Sequence, residues 1–270
     1  MVRSMKALAA SSIAQYEHAV ESLQHYSTAV EQGLAVCLRE SEVPRVAVKP
    51  RSAPARGAVI FGSDQGLVGR FNESLVQFAL DALHALPGAT GHVWVVGERM
   101  QELVADSGLP PPAALPVPHS VDAIAPLVSR ILIDIAAVRA DEIYLFHNGS
   151  SGSTGYAPVS RRLLPLDAVW QKHILAIPWP TKALPEVIGT TAAALQALVR
   201  AHLFIVLFQA CAQSLASENA SRLAAMQRAE DNIAKILEEL NRKFRRVRQE
   251  TIDEELFDVV SGYESMTHSA

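Results

Sequence analysis

Residues 190–261 read TTAAALQALVRAHLFIVLFQACAQSLASENASRLAAMQRAEDNIAKILEELNRKFRRVRQETIDEELFDVVS, 72 positions without a glycine or a proline. Proline removes a backbone donor and clashes with the preceding turn, and glycine costs about 1 kcal/mol per helical position relative to alanine. A stretch this long that avoids both predicts one continuous helix. Within it Ile233, Leu237, Leu240, Phe244 and Val247 alternate by four and three, and the pattern then slips one position to Ile252, Leu256 and Val259 or Val260. A 3.5-residue apolar repeat is the signature of a left-handed coiled coil. At about 1.5 Å per residue, a helix of roughly 70 residues runs on the order of 100 Å. That exceeds any compact body of this chain's size, so the helix projects.

The other end of the chain has the same character. Residues 1–43 hold one glycine, Gly33, and no proline. Ala9, Ile13, Tyr16, Val20, Leu23, Ser27, Val30, Leu34 and Cys37 keep the four–three alternation. All 15 prolines lie between Pro44 and Pro185, and eleven of the 14 glycines between Gly57 and Gly155. Two breaker-poor arms therefore flank a turn-rich middle. In that middle Ala58–Phe61, Val93–Val96 and Glu142–Phe146 are short apolar runs, the last closed by Asn148-Gly149. Between them Asn72–Leu86 and Ala123–Val138 carry helical spacing. Strand and helix in alternation predict a parallel, doubly wound sheet. Pro110–Pro118 reads as a linker or an extended edge segment, and Tyr156–Ser160 and Ile174–Ile177 read as extended.

The expected fold is thus α/β, with an antiparallel two-helix coiled coil made by the N- and C-terminal helices and a Rossmann-like α/β domain inserted between them. The expected units are 1–43, 57–185 and 190–265. Two ordinary amphipathic helices on a globular core are the plainer alternative, and helix length argues against it. Cys37 and Cys211 are expected as free thiols near the base of the hairpin, and Met5 is expected beside the Met226–Ile236 stretch.

Composition narrows the function. With 49% apolar residues the chain can build a sizeable core, and with 24 basic against 28 acidic residues it is not a chain-wide nucleic-acid binder. Two cysteines make no disulfide scaffold and fit a reducing compartment. The apolar run Leu203–Phe208 is too short to span a bilayer, so the chain reads as water-soluble. Gly62-Ser-Asp-Gln-Gly66-Leu-Val-Gly69 sits where a phosphate-binding turn would sit, yet it lacks the Gly-Lys-Ser/Thr of a P-loop and the G-x-G-x-x-G spacing. Gly149–Gly155 does not fit G-x-S-x-G. Both read better as plain turns. No catalytic constellation, no metal-ligand spacing and no cofactor motif emerges.

One charge cluster stands out. Arg242, Lys243, Arg245, Arg246 and Arg248 place five cations in seven positions, followed by Glu250, Asp253, Glu254, Glu255 and Asp258. The first arm covers only about 55 Å of the longer helix. Roughly the last 30 residues are left without a partner from this chain. Leaving Phe244, Val247, Ile252, Leu256 and Val260 in water costs on the order of 1.5–3 kcal/mol each. The pattern implies that another protein surrounds or grips the tip.

Four segments carry a family resemblance. Ser4-Met-Lys-Ala-Leu-Ala-Ala-Ser11 resembles the N-terminal helix motif of the gamma subunit of F-type ATP synthases. Ser63–Gly69 with Asn72 resembles that family's first strand–helix turn. Ser217–Met226 with Ala229–Asn232 resembles its C-terminal helix signature. Asn241–Gln249, Thr251-Ile252, Glu254–Leu256 and Val260-Ser-Gly262 close the chain as gamma subunits do.

The resemblance implies a rotor shaft that couples ion-driven rotation to ATP synthesis or hydrolysis on neighbouring β subunits, itself non-catalytic. Its implied partners are the α and β subunits of the hexamer, epsilon and the ring of c subunits, at the cytoplasmic face of a bacterial inner membrane. Among residues, it implies partner contacts at Met5, Arg242, Arg245, Arg248 and Gln249. Departures accompany it: Ser12 stands where lysine is usual and Val68 where cysteine is frequent. The segment before Met5 is about twenty residues shorter than usual. A helical adaptor with a ligand-binding α/β insert is the alternative reading, to be told apart by nucleotide or sulfate binding.

Overall fold

In the computed structural model, residues 2–40, 54–138, 140–151 and 155–267 are described. Helix α1 (Val2–Glu40) lies along the long helix α6 (Thr191–Thr267). Between them come β1 (Arg56–Phe61), α2 (Phe71–His84), β2 (Thr90–Val96), α3 (Glu98–Ala105), β3 (Ala113–Leu115), α4 (Ile124–Ala137), β4 (Glu142–Ser151), β5 (Gly155–Leu164) and α5 (Ala168–Leu175). The end of the first expected unit, residues 41–43, lies outside the described residues.

One five-stranded sheet has the order β3-β2-β1-β4-β5. The first four strands are parallel, and β5 pairs antiparallel with β4. The strand pleat sends alternate residues to opposite faces. Val59, Phe61, Trp94, Val96, Ile143 and Leu145 meet α4, α6 and Tyr16 of α1. Ala58, Ile60, Val93, Val95 and Phe146 meet α2 and α3. Every residue of β1 is buried, as a central strand covered on both faces should be. The expected edge segment around Pro110–Pro118 contains β3, a short edge strand.

Three expectations need correction. Ile174 lies in the last turn of helix α5 and Ile177 just past its end; neither is in a strand. Asp167 caps that helix, its carboxylate accepting from the Trp170 N–H at 2.9 Å. Trp170, Ile174 and Ile177 then follow helical spacing onto Val30, Leu34 and Ala35 of α1. Arg39 secures the end by donating to the carbonyls of Leu175 and Ile177 at 2.9 and 2.7 Å.

Asn148-Gly149 does not stop β4. The strand continues to Ser151, because β5 folds back beside it and supplies hydrogen-bond partners. The cysteines are free and buried, but only Cys37 lies near the start of α6, against Ala194 and Leu198. Cys211 sits in the core beneath the sheet with Tyr16, roughly 25 Å further along α6.

By length and composition alone, α6 also contains a stretch apolar enough to cross a membrane, 22% of it buried inside the protein. Ile205, Val206, Leu207, Ala210, Cys211 and Ala212 of that helix are buried against α1, α5 and the sheet. The packing gives these apolar side chains a protein core.

Candidate functional site

The two long helices run antiparallel. Near one end the Lys6 ammonium donates to the Glu230 carboxylate at 2.7 Å and to Gln227. Towards the other end the Cβ position of Gly33 lies 3.2 Å from Leu198, so the helix backbone approaches closely where it lacks a side chain. Ala9, Tyr16, Val30, Leu34 and Cys37 of the sequence seam are buried, and Ile13, Val20, Leu23 and Ser27 are half-buried. Met5 is half-buried one residue before Lys6.

Beyond Glu230 the environment of α6 changes completely. Every residue from Asp231 to Gly262 is exposed. Phe244 is 67% exposed, Leu256 60% and Phe257 74%, values that belong to side chains with no covering surface. Arg242, Arg245, Arg248 and Gln249 all stand on this bare stretch. Arg246 donates to Glu250 at 2.8 Å, a bond that raises its pKa, and Arg242 lies 4.0 Å from Glu238. Such solvated pairs add little stability. Arg245 and Arg248 form no ion pair among the described residues. The structure does not bring Met5 together with the cationic cluster. Arg242 lies twelve positions past Glu230, about 18 Å along the helix.

A second arrangement joins the α/β unit to the shaft, and it is buried and polar. Ser214, Ser217, Glu218 and Ser221 lie on one face of α6 with little exposure. The Ser214 hydroxyl donates to the Phe61 carbonyl at the end of β1 at 3.1 Å. The Ser221 hydroxyl donates to the Val68 carbonyl in the β1–α2 loop. Glu218 accepts from Arg222 at 2.6 Å. Burial pushes the Glu218 carboxyl up; Arg222 opposes that shift, Asp64 adds to it and His119 opposes it. Burial likewise raises the Tyr16 hydroxyl and the Cys211 thiol, with Glu218 adding to both. The Tyr16 hydroxyl and the Cys211 thiol are thereby held in their neutral forms, not primed as nucleophiles.

The β1–α2 loop uses its polar groups internally. The Ser63 N–H donates to Asn72 Oδ1 at 3.1 Å, and Asn72 Nδ2 returns a bond to Ser63 Oγ at 2.8 Å. Asp64 accepts from the Glu98 N–H at 3.0 Å and so caps α3. Gly97, at φ 111°, is where β2 turns into α3; a side chain there would strike the Ser63 backbone at 2.6 Å. The Ser-Asp…Asn pattern therefore ties two loops together. Asn148 of β4 is fully buried and donates to the Phe71 carbonyl at 3.1 Å, closing the same corner.

Sequence reasoning did not assign structural work to Ser214, Ser217, Glu218 and Ser221. A signal was present, since Ser214, Ser217 and Ser221 continue the three–four spacing of buried positions with hydroxyls instead of apolar groups. Nothing local indicated that loop carbonyls would meet them.

An ATP synthase family pattern matches residues 1–266. The ATP synthase gamma chain of Gluconobacter oxydans is 26% identical over 98% of this chain and 94% of its own length. That of Syntrophus aciditrophicus is 27% identical over 98% and 92%. Among solved structures, a chain of the Tetrahymena thermophila mitochondrial ATP synthase central stalk and c-ring superposes with a TM-score of 0.59 at 20% identity. That superposition covers 85% of this chain and 99% of the other. A chain of the Euglena gracilis mitochondrial ATP synthase rotor gives 0.54 at 13% identity, covering 93% and 98%. At these identities the superpositions establish the fold.

Proposed function

The chain belongs to the ATP synthase family, and from that premise we propose that it is the gamma subunit, the central rotor shaft of an F-type ATP synthase. The observation that carries the reading is the bare end of α6. An apolar seam that is covered up to Met226 continues uncovered past Asp231 for another thirty or so residues. Continuous exposure of this kind marks a protein-binding surface. A hexamer of α and β subunits with a central hole would enclose the projecting helix on all sides.

The α/β unit, expected over residues 57–185, would stay outside that hole and face epsilon and the ring of c subunits, keeping the assembly at the membrane surface. The two helical arms, 1–43 and 190–265, would divide the remaining work: the paired part transmits torque, and the single-helix tip engages the hexamer. Met5, Arg242, Arg245, Arg248 and Gln249 are the contacts proposed for the β subunits. A shaft with different side chains around its circumference offers each β subunit a different surface. It therefore biases each towards a different conformation, and rotation moves that bias from one subunit to the next.

The test is reconstitution. Tagged chain co-expressed with the α, β, epsilon and c subunits of its own complex should purify stoichiometrically with them, and electron microscopy should place residues 231–262 inside the hexamer. Recovery of the chain alone, with a hexamer that forms without it and an empty central hole, would overturn the proposal.

A further inference from the structure

A cavity of about 390 Å³ opens between the β1–α2 loop, the start of β5 and α6. Arg70 enters it from the loop and Arg228 from α6, and the hydroxyl-bearing side chains of Ser74, Tyr156 and Ser221 line the same walls. The two sides are close. The Cβ position of Gly69 lies 3.5 Å from an Arg228 guanidinium nitrogen and 3.9 Å from Ser221 Oγ. Gly69 has a φ of 60°, which lets the loop turn back against the helix at this point.

Charge at the cavity is unbalanced. Neither Arg70 nor Arg228 forms an ion pair or a side-chain hydrogen bond among the described residues, whereas Arg56, Arg99, Arg130, Arg162, Arg222 and Arg246 each do. No carboxylate lines the cavity; Glu73, in the first turn of α2, is exposed outside it. Helix α2 starts here without a side-chain cap, with only the Phe71 N–H of its first amides taken by a loop carbonyl, that of Val68 at 3.3 Å. Two cations sharing one hollow repel each other until an anion sits between them.

We propose that this cavity is a binding site for a phosphate-class oxyanion, held between the guanidinium groups of Arg70 and Arg228. The planar fork of an arginine matches two oxygens of a tetrahedral anion, and two such forks from opposite walls select a multiply charged oxyanion over chloride. The Ser74 hydroxyl supplies a neutral hydrogen bond, and an uncapped helix start is a favourable neighbour for phosphate. The anion is free phosphate or the terminal phosphate of a nucleotide. Its effect on the protein is to pin the β1–α2 loop to α6 beside the Ser221–Val68 bond. The inference does not depend on the shaft assignment, because it is read on the chain alone.

Calorimetric titration of the full chain with inorganic phosphate, and separately with ADP, in chloride buffer of matched ionic strength tests it. The expected result is saturable one-site binding of phosphate with a dissociation constant on the order of 1 mM. Arg70→Ala and Arg228→Ala should each weaken it about tenfold or more, and Arg130→Ala on α4 should leave it unchanged. Equal binding of ADP and phosphate identifies the bare phosphate group as what is recognised. Tighter ADP binding that is lost in the same two variants identifies a nucleotide as its source. Both arginines are exposed and unpaired, so thermal melts of the variants should match the wild type. Absence of saturable phosphate binding overturns the proposal, as does binding that survives the double variant. Binding of an acidic peptide with none of phosphate overturns it too, and reassigns the cavity to a partner's carboxylates.

Discussion

The two halves of α6 share one backbone and one apolar spacing, yet live in opposite environments. From Ile205 to Leu215 the apolar side chains are buried against α1, α5 and the sheet. From Ile233 to Val260 the same kind of side chain is about half exposed or more. Helix formation therefore does not distinguish them; the difference is which of them the other described elements cover. Among the described residues, Lys6 ties the N-terminal arm to Gln227 and Glu230. The lesson is that the proximal half stabilises this chain, whereas the distal half buries nothing against the other described residues.

The sharpest test of that contrast is paired truncation. Leu207→Ala, at a fully buried position, should cost about 2–5 kcal/mol in denaturant unfolding of the full chain. Phe244→Ala should cost less than about 0.5 kcal/mol in the same measurement. Similar losses at both sites would mean that the tip has an intrachain partner and would break the comparison.

The proximal half should also carry a pH dependence that the distal half lacks. His202 is buried and its Nε2 accepts a hydrogen bond from the Trp170 indole N–H at 3.2 Å, which requires the neutral ring. Burial first, and Arg161 second, lower its pKa from 6.5 to about 4. A histidine depressed in the fold binds its proton more readily once unfolded. Its contribution is therefore complete above pH 6.5 and is lost as the pH falls towards 4. The loss amounts to about 3 kcal/mol over that window. His202→Gln keeps an acceptor for Trp170 without titrating, so its stability curve should be flatter there by that amount. An unchanged pH slope would show that His202 is not the responsible group.

At the junction the effect should be smaller. Ser214→Ala removes the donor to the Phe61 carbonyl and leaves that buried group unsatisfied, for about 1–2 kcal/mol. Hydrogen exchange should quicken first at the β1–α2 loop if this bond fastens the α/β unit to the shaft.

Smallest of all in the isolated chain is the double change Arg248→Ala, Gln249→Ala, expected within about 0.5 kcal/mol of wild type because both positions are exposed on a helix and alanine is a strong helix former. In the reconstituted complex the same pair should lower protons pumped per ATP hydrolysed. Charge-assisted hydrogen bonds of roughly 1.5–3 kcal/mol to the surrounding subunits would be gone. An unaltered ratio and rate would remove these two residues from the proposed contact.

The sequence by itself determined the two arms, because a run without glycine or proline and with a 3.5-residue seam has few alternatives to a long helix. Alternating strand and helix signals in the middle likewise determined a parallel sheet. The bare tip was legible too, from the difference in length between the arms. Tertiary structure alone decided matters that depend on which surfaces meet. Ile174–Ile177 looked extended, but α1 offers Trp170 and Ile174 a surface that rewards helical spacing. Asn148-Gly149 carried a turn signal, but pairing with β5 satisfied the backbone and carried the strand through. The Ser214 and Ser221 hydroxyls had no role in the sequence pattern, and only the approach of the Phe61 and Val68 carbonyls made them joints. Local pattern fixes backbone conformation because its forces act within a turn or two of chain. Which polar groups share a buried corner depends on segments about 150 positions apart, and no local spacing records that.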